Sequence, residues 1–95
     1  MLKIRYSSQF KKDVKKLKGL GRKGKIVFES IMEVAEFLTT GQKLPEKYLD
    51  HRLTGNYKEY RECHISPDRL LIYRINTNEL ELLLFRTGSH SELFK

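Results

Sequence analysis

The 95-residue sequence has one cysteine, two prolines and no tryptophan. With only Cys63, the chain cannot form an internal disulfide, which favours a reducing compartment. No apolar run approaches the roughly 20 residues that a membrane-spanning helix needs, and the N-terminus lacks the apolar stretch of a signal peptide. Internal repeats, low-complexity tracts and linkers are also missing. We therefore expect a single cytoplasmic domain over residues 1–95 that does not contact a membrane.

Acidic residues are scarce at the start of the chain. Residues 1–25 contain ten Lys and Arg residues and one acidic residue, Asp13, whereas the rest of the chain contains nine basic and eleven acidic residues. The net charge of +7 is therefore concentrated at one end. Such a basic face attracts polyanions by releasing their counterions. A solvated lysine-rich helix, or a face for an acidic protein partner, has the same composition.

Two helices are predicted in the first half, after a short strand at residues 1–6. Ser7 or Ser8 can cap the first helix, and the three glycines between positions 19 and 24 end it. The second helix is predicted over about residues 25–40, with Gly41 as its stop signal. Apolar residues recur at helical spacing in both helices and predict a core-facing stripe. The stripe contains Phe10, Val14, Leu17, Leu20, Val27, Ile31, Val34 and Leu38.

The second half of the chain predicts a β-meander. Three strand signals, at about Tyr57–Ile65, Leu70–Ile75 and Leu80–Arg86, are separated by turn residues. Ser89-x-x-Glu92 is a capping box that begins a short last helix. The order β-α-α-β-β-β-α predicts an α+β fold, an antiparallel sheet with a two-helix hairpin on one face.

Candidate catalytic side chains lie at the ends of these elements. The three histidines are His51, before the meander, His64, near the end of its first strand, and His90, after its last strand. Asp68 lies in the turn after His64, and Arg86 ends the last strand. A meander brings these strand ends to one edge, so we expect a cluster. Imidazole transfers protons near neutral pH and guanidinium matches phosphate oxygens, which supplies what RNA cleavage by the ribose 2′-hydroxyl requires.

The same side chains have other possible uses. The histidines lack metal-binding spacing, and Cys63 and His64, as adjacent strand residues, point to opposite faces. We therefore expect no metal and no cofactor. Each histidine is also compatible with an ordinary surface or packing role, Asp68 with turn formation, and Arg86 with an ion pair at a strand edge.

Three motifs together resemble a known family. They are D-H-x-L-x-G at 50–55, H-x-x-P-D at 64–68 and R-T-G-S-H-x-x-L-F at 86–94. In this order they are similar to the YafQ branch of the RelE/ParE toxin superfamily, and the element order of the whole chain agrees. The resemblance implies a toxin of a type II toxin–antitoxin pair. Such a toxin binds the ribosome, cleaves messenger RNA there without a metal and inhibits translation.

The resemblance also implies residue roles. His90 would be the general acid and Asp68 the general base. His51 and His64 would orient or stabilise the reacting phosphate, and Arg86 would neutralise charge. Phe94, Arg69 and Arg61 would bind substrate: Phe94 by stacking on a base, and Arg69, at a position where the family can have tryptophan, by stacking or a phosphate contact.

The same resemblance implies partners. These are an antitoxin with an acidic or fold-on-binding segment, the ribosome, the message, and operator DNA reached through the antitoxin. The alternative is a non-enzymatic toxin of the ParE type, which poisons gyrase, or an RNA- or protein-binding module on the same scaffold. Basic side chains of the helix hairpin would contact ribosomal RNA: Lys11, Lys12, Lys15, Lys16, Lys18, Arg22, Lys23 and Lys25.

Overall fold

The computed structural model describes residues 1–94, so that Lys95 of the predicted domain lies outside the described residues. The α+β class and the predicted order of elements are confirmed, and one two-residue strand is added within the predicted loop. Among residues 1–94, no helix combines the length and apolarity that crossing a membrane requires. The elements are β1 (Lys3–Tyr6), α1 (Ser8–Lys18), α2 (Arg22–Thr39), β2 (His51–Arg52), β3 (Arg61–Ser66), β4 (Arg69–Asn76), β5 (Glu81–Gly88) and α3 (His90–Leu93).

The five strands form one sheet in the order β1-β5-β4-β3-β2. Strands β2 to β5 pair antiparallel, as the meander predicts, but β1 pairs parallel with β5. The sheet is therefore mixed, and the prediction of a wholly antiparallel sheet is wrong in this detail. A parallel pair needs a long crossover connection, and the helix hairpin that follows β1 begins that crossover.

The core lies between the helix hairpin and one face of the sheet. Ser7 caps α1, as predicted, by accepting a hydrogen bond from the backbone N–H of Phe10 at 2.9 Å. Most of the predicted apolar stripe is buried, but Leu20 is 53% exposed because α1 ends at Lys18. The buried residues of this core include Phe10, Leu17, Ile31, Val34, Ala35 and Leu38 from the helices and Cys63, Leu71, Tyr73, Leu82 and Leu84 from the sheet.

The connection between the two helices depends on two glycines. Gly21 has φ of +65°, a left-handed conformation that glycine adopts without strain, and α2 begins directly after it. Gly24, predicted to belong to the helix break, lies instead inside α2 and is buried. A Cβ atom at Gly24 would lie 1.7 Å from the carbonyl oxygen of Leu17. Gly24 therefore allows the backbones of α1 and α2 to approach closely.

Gly24→Ala is expected to destabilise the chain by about 1–3 kcal/mol because it overpacks this crossing. This outcome opposes helix propensity, which favours alanine over glycine by about 1 kcal/mol. Urea unfolding measures the change. Gly19→Ala is the matched control, since Gly19 has right-handed φ and ψ and its nearest neighbour would be 3.3 Å from the new Cβ. Equal midpoints for Gly24→Ala and the wild type would contradict the close approach.

Candidate active site

Several of the candidate residues lie at one end of the sheet, where β3 and β5 end and β4 begins. His64 of β3 pairs with Leu70 of β4, which pairs with Gly88 of β5. Since neighbouring strands are about 4.8 Å apart, the Cα atoms of His64 and Gly88 are roughly 10 Å apart. Asp68, in the β3–β4 turn, and His90, the first residue of α3, lie at the same end of the sheet. This is the arrangement of strand ends that a meander predicts.

His51 lies in the next row of the sheet. Its partner on β3 is Glu62, which pairs with Ile72 of β4, which in turn pairs with Arg86 of β5. His51 and Glu62, which are opposite one another, point to the same face. Cys63, between Glu62 and His64, is fully buried in the core. Alternation along β3 therefore puts Glu62 and His64 on the face turned away from the helices.

His51 and Glu62 form an acid–base pair. Nε2 of His51 is 2.8 Å from Oε2 of Glu62, and Nδ1 is 2.8 Å from the carbonyl oxygen of Leu49. Because a carbonyl oxygen only accepts, Nδ1 donates there, and the contact between Nε2 and Oε2 must share a second proton. Glu62 is 6% exposed, and its Oε1 has no hydrogen-bond partner within residues 1–94. His51 is therefore the side chain that engages the buried carboxylate of Glu62.

Glu62 is a candidate that sequence reasoning missed. In the sequence it is one polar residue of an alternating strand. Its importance follows from its burial and from the pairing of β2 with β3, which neither composition nor periodicity reveals. Because β2 has only two residues, it gave no strand signal that could have placed His51 opposite Glu62.

Arg86 is held by Asp13 of α1. Its Nε and Nη2 donate to Oδ2 and Oδ1 of Asp13 at 3.1 and 3.0 Å, and the backbone N–H of Thr87 donates to Oδ2 at 3.1 Å. Pairing between β1 and β5 ends at Leu84, so Asp13 occupies the open edge beyond it. The hydrogen bonds that Arg86 donates to Asp13 raise the pKa of Arg86, which therefore stays charged. Three of the five N–H donors of the guanidinium remain available.

The predicted groups share an edge of the sheet but not one cavity. His64 lines a cavity with Lys47 and Tyr48, whereas Arg86 lines another cavity between α1 and the sheet. The two cavities have no lining residue in common. His51, half exposed, is engaged with Glu62. The expectation of one compact cluster is therefore wrong. The groups are spread along one end of the sheet, because the spacing between strands keeps their backbones apart.

Helix α3 presents His90 and Phe94. The ring of Phe94, the residue directly after α3, lies against that of His90 at a centroid distance of 5.1 Å with an interplanar angle of 42°, and His90 is exposed. The predicted capping box is present: the Ser89 hydroxyl accepts from the Glu92 backbone N–H at 3.2 Å, and Oε1 of Glu92 accepts from the Ser89 backbone N–H at 2.8 Å. These hydrogen bonds, assisted by the positive charge of Arg69, lower the pKa of Glu92.

Helix α3 is expected to loosen in acid. Since the pKa of Glu92 is lower in the folded than in the unfolded chain, the cap is fully formed above the ordinary carboxyl pKa and is lost as the pH falls through the lowered value. An NMR titration that follows the Glu92 carboxyl and the Ser89 amide measures this. In Glu92→Gln the Ser89 amide should lose its titration. A Glu92 carboxyl that titrates at or above the ordinary value would contradict the cap.

Two further predicted residues are engaged locally. Asp68 is exposed and accepts a hydrogen bond from the Ser66 hydroxyl at 3.0 Å. Arg61, predicted to bind substrate, pairs with Asp50 at 2.8 Å, and the Tyr73 hydroxyl donates to the same carboxylate. The hydrogen bonds that Arg61 donates to Asp50 raise the pKa of Arg61. Arg61 thus holds the start of β3 to the loop before β2.

The basic side chains of the helix hairpin are solvent-facing. All eight predicted RNA-binding positions are exposed. Within residues 1–94, none of the eight has a carboxylate oxygen within 4.0 Å. Their charge is therefore available to an external polyanion.

The overall structure is similar to those of known toxins. A metal-bound toxin from Helicobacter pylori has a TM-score of 0.84 at 47% identity, covering 99% of this chain and 100% of that chain. The YafQ chain of the Escherichia coli DinJ–YafQ complex has a TM-score of 0.83 at 33% identity, with 100% of both chains covered. The fold and these similar structures therefore define the class, a small α+β toxin.

The sequence comparisons identify the family within that class. Residues 2–95 match the model of the bacterial toxin of type II toxin–antitoxin systems, YafQ. The mRNA interferase toxin YafQ of Escherichia coli K12 is 39% identical over 93 residues, covering 96% of this chain and 94% of that protein. The chain belongs to the YafQ family of type II toxins.

The metal in the Helicobacter pylori toxin raises the question of a metal site. Within the part of the chain that the structure describes, no three His, Cys, Asp or Glu side chains are grouped so that they could hold an ion. His51 has both ring nitrogens engaged, with Leu49 and Glu62. Within the described residues, the ring of His51 therefore has no unengaged nitrogen that could bind a metal in this arrangement.

Proposed function

We propose that the chain is a ribosome-dependent mRNA endoribonuclease that inhibits translation as the toxin of a toxin–antitoxin pair. The observation that carries the proposal is the strand register, which brings His64, Asp68 and His90 to the edge of the sheet where Arg86 lies. The relative from Escherichia coli K12, which is named an mRNA interferase, supports the same reaction.

The reaction is a transesterification within the RNA. Asp68, an exposed carboxylate, accepts the proton of the ribose 2′-hydroxyl, and the 2′-oxygen attacks the adjacent 3′ phosphorus. The bond from phosphorus to the 5′-oxygen breaks as His90, in its imidazolium form, donates a proton to that oxygen. The products are a 2′,3′-cyclic phosphate and a 5′-hydroxyl end. Both proton transfers use side chains, so the reaction requires no metal.

The remaining groups stabilise the reacting phosphate. Arg86 has three free donors for the non-bridging oxygens, but Asp13 offsets its charge, so it contributes oriented hydrogen bonds more than net charge. His64 and the His51–Glu62 pair orient the phosphate from the neighbouring strands. Phe94, whose ring lies tilted against that of His90, offers an aromatic surface for a base of the message.

The proposed partners follow from charge and from the relatives. The exposed basic residues of the helix hairpin bind ribosomal RNA. The toxin is inhibited by an antitoxin, and the existence of a complex between DinJ and YafQ supports this. It reaches operator DNA only through that antitoxin. The proposed place of action is the cytoplasm, where ribosomes translate.

Mapping transcript ends tests the proposal. After brief expression of the toxin, new 5′-hydroxyl ends are expected within translated sequences and not in untranslated ones. In cell-free translation, cleavage is expected to persist with 1,10-phenanthroline, which binds transition metals but leaves the Mg²⁺ of the ribosome. Growth arrest with intact transcripts and loss of plasmid supercoiling would contradict the proposal and indicate gyrase as the target.

A further inference from the structure

Asp50 lies directly before His51, the first residue of β2. Its carboxylate accepts three hydrogen bonds. Nε and Nη2 of Arg61 donate to Oδ2 at 3.2 and 2.8 Å, and the Tyr73 hydroxyl donates to Oδ1. We propose that Asp50 is a positioning residue that fixes the ring of His51 through the backbone between them. The inference rests on the proposed function, in which His51 orients the reacting phosphate.

The donors to Asp50 belong to the inner strands of the sheet. Arg61 begins β3, and Tyr73, in β4, is 1% exposed. The two residues are cross-strand partners, and the pairing of β3 with β4 continues along both strands from there. The strands therefore do not need the carboxylate of Asp50 to pair. What the carboxylate adds is a side-chain attachment of the preceding loop to this part of the sheet.

The segment that presents His51 is held only weakly by its backbone. Strand β2 has two residues, His51 and Arg52, and so only two register pairs with β3. Leu49 has φ of +50° and ψ of +42°, a left-handed conformation that is strained for a residue with a side chain. Leu49 is also 60% exposed, so burial of its side chain does not offset the strain. The hydrogen bonds that fix the next residue, Asp50, help to maintain this conformation.

The conformation of Leu49 decides where the ring of His51 points. The carbonyl oxygen of Leu49 accepts from Nδ1 of His51 at 2.8 Å, and Asp50 is the residue between the two. With Nδ1 bound to the backbone, Nε2 faces Oε2 of Glu62 at 2.8 Å. An anchored Asp50 thus keeps the carbonyl oxygen in place, and the carbonyl oxygen keeps the ring in place.

The contacts of Asp50 favour this indirect role over a direct one. Both of its oxygens are engaged with the protein, and it is 24% exposed. Tyr73 belongs to the core between the sheet and the helices, whereas Glu62 holds the ring of His51 on the opposite face. Burial raises the pKa of Tyr73, so its hydroxyl stays protonated and remains a donor.

Asp50→Asn tests the inference, because the amide keeps the size of the carboxylate but places an NH₂ group against donors. Cleavage on programmed ribosomes is expected to fall by about tenfold to a hundredfold, as when a working group is misplaced by roughly 1 Å. The nitrogen chemical shifts of the His51 ring, measured by NMR, should change from a proton fixed on Nδ1 to one shared between both nitrogens. Those of the His90 ring should not change.

A double-mutant cycle separates positioning from a structural effect. If Asp50 acts through His51, Asp50→Asn should lower the cleavage rate no further in a His51→Ala background. A general loss of structure would instead lower the rate by the same factor in both backgrounds. Thermal unfolding gives the folded fraction of each variant, and rates are compared at equal folded fraction.

Tyr73→Phe is a milder second variant, for use if Asp50→Asn does not fold. It keeps the buried ring but removes one of the hydrogen bonds to Asp50, so a smaller change in the same direction is expected in the rate and in the His51 ring. Glu59→Gln is the matched control. It removes a carboxylate that also pairs with an arginine, Arg74 at 3.5 Å, but that is 71% exposed, and it should keep the wild-type rate.

Two results would overturn the inference. One is a His51 ring whose nitrogen shifts are unchanged in the folded variants, and the other is an equal loss of rate with and without His51. If the His51 ring changes in Asp50→Asn but the wild type cleaves no message, the proposed function is refuted, and the control of the ring by Asp50 is supported.

Discussion

Replacing His90 with alanine is expected to lower the rate of mRNA cleavage on translating ribosomes by about 10²–10⁴-fold, the range that general acid catalysis supplies. The leaving 5′-oxygen then departs without a proton from the protein. The imidazole is exposed and touches only Phe94 among the aromatic rings described, so the variant should fold. A single-turnover assay on ribosomes programmed with one message gives the rate directly.

The controls separate chemistry from binding. His90→Ala should co-sediment with ribosomes as well as the wild type does, because the basic hairpin is unchanged. Ser91→Ala, at the neighbouring exposed position of α3, should cleave at nearly the wild-type rate. Cleavage by His90→Ala within a few-fold of the wild type would remove His90 from the reaction.

Asp13→Asn is expected to destabilise the fold by about 3–5 kcal/mol, the usual result of breaking a buried ion pair. The asparagine NH₂ group would face the donors of Arg86, and the guanidinium would lose its partner. Since small domains are stable by only about 5–15 kcal/mol, the variant is expected to unfold at a lower temperature than the wild type. Urea unfolding at low temperature measures the difference.

A double-mutant cycle isolates this contact. The double variant Arg86→Gln/Asp13→Asn should be more stable than the sum of the two single losses predicts. It has lost both charges, so no charge is left without a partner. Asp68→Asn is the matched control: the exposed Asp68 should lose activity but keep stability within about 0.5 kcal/mol. Additive losses of stability in the cycle would contradict the ion pair between Asp13 and Arg86. So would an Asp13→Asn variant as stable as the wild type.

The ion pair with Asp13 gives Arg86 two roles. It fastens α1 to β5 beyond the point where β1 ends, and it directs its free donors toward the edge of the sheet. A change of Arg86 should therefore reduce both stability and activity, and the loss of activity alone cannot measure its role in the reaction. Comparison at equal folded fraction removes this ambiguity.

Local signals in the sequence predicted the elements well. The Ser7 cap, the capping box from Ser89 to Glu92 and the apolar stripes act within one or two turns of chain, so the residues that decide them are neighbours in the sequence. The predicted start of α2 is too late in the chain. Gly24 is typical of a helix break, but it lies inside α2, where it allows close contact with α1. That contact exists only after the hairpin has formed.

The candidate site was predicted only in part for the same reason. The motifs named the three histidines, Asp68 and Arg86, and the meander predicted that their strand ends meet. Asp13 and Glu62 were missed. Asp13 is 73 positions from Arg86 in the chain, and its neighbours in the sequence are lysines that suggest a solvated helix. Burial and pairing over such distances cannot be inferred from spacing.

The proposed reaction depends on attack by the ribose 2′-oxygen on the phosphate at this end of the sheet. The most direct test uses a message with a single 2′-O-methyl nucleotide immediately before a mapped cleavage point. The proposed reaction predicts that cleavage at that bond stops, while cleavage at other codons and binding of the toxin to the ribosome are unchanged. Cleavage of the methylated bond at the original rate would contradict it.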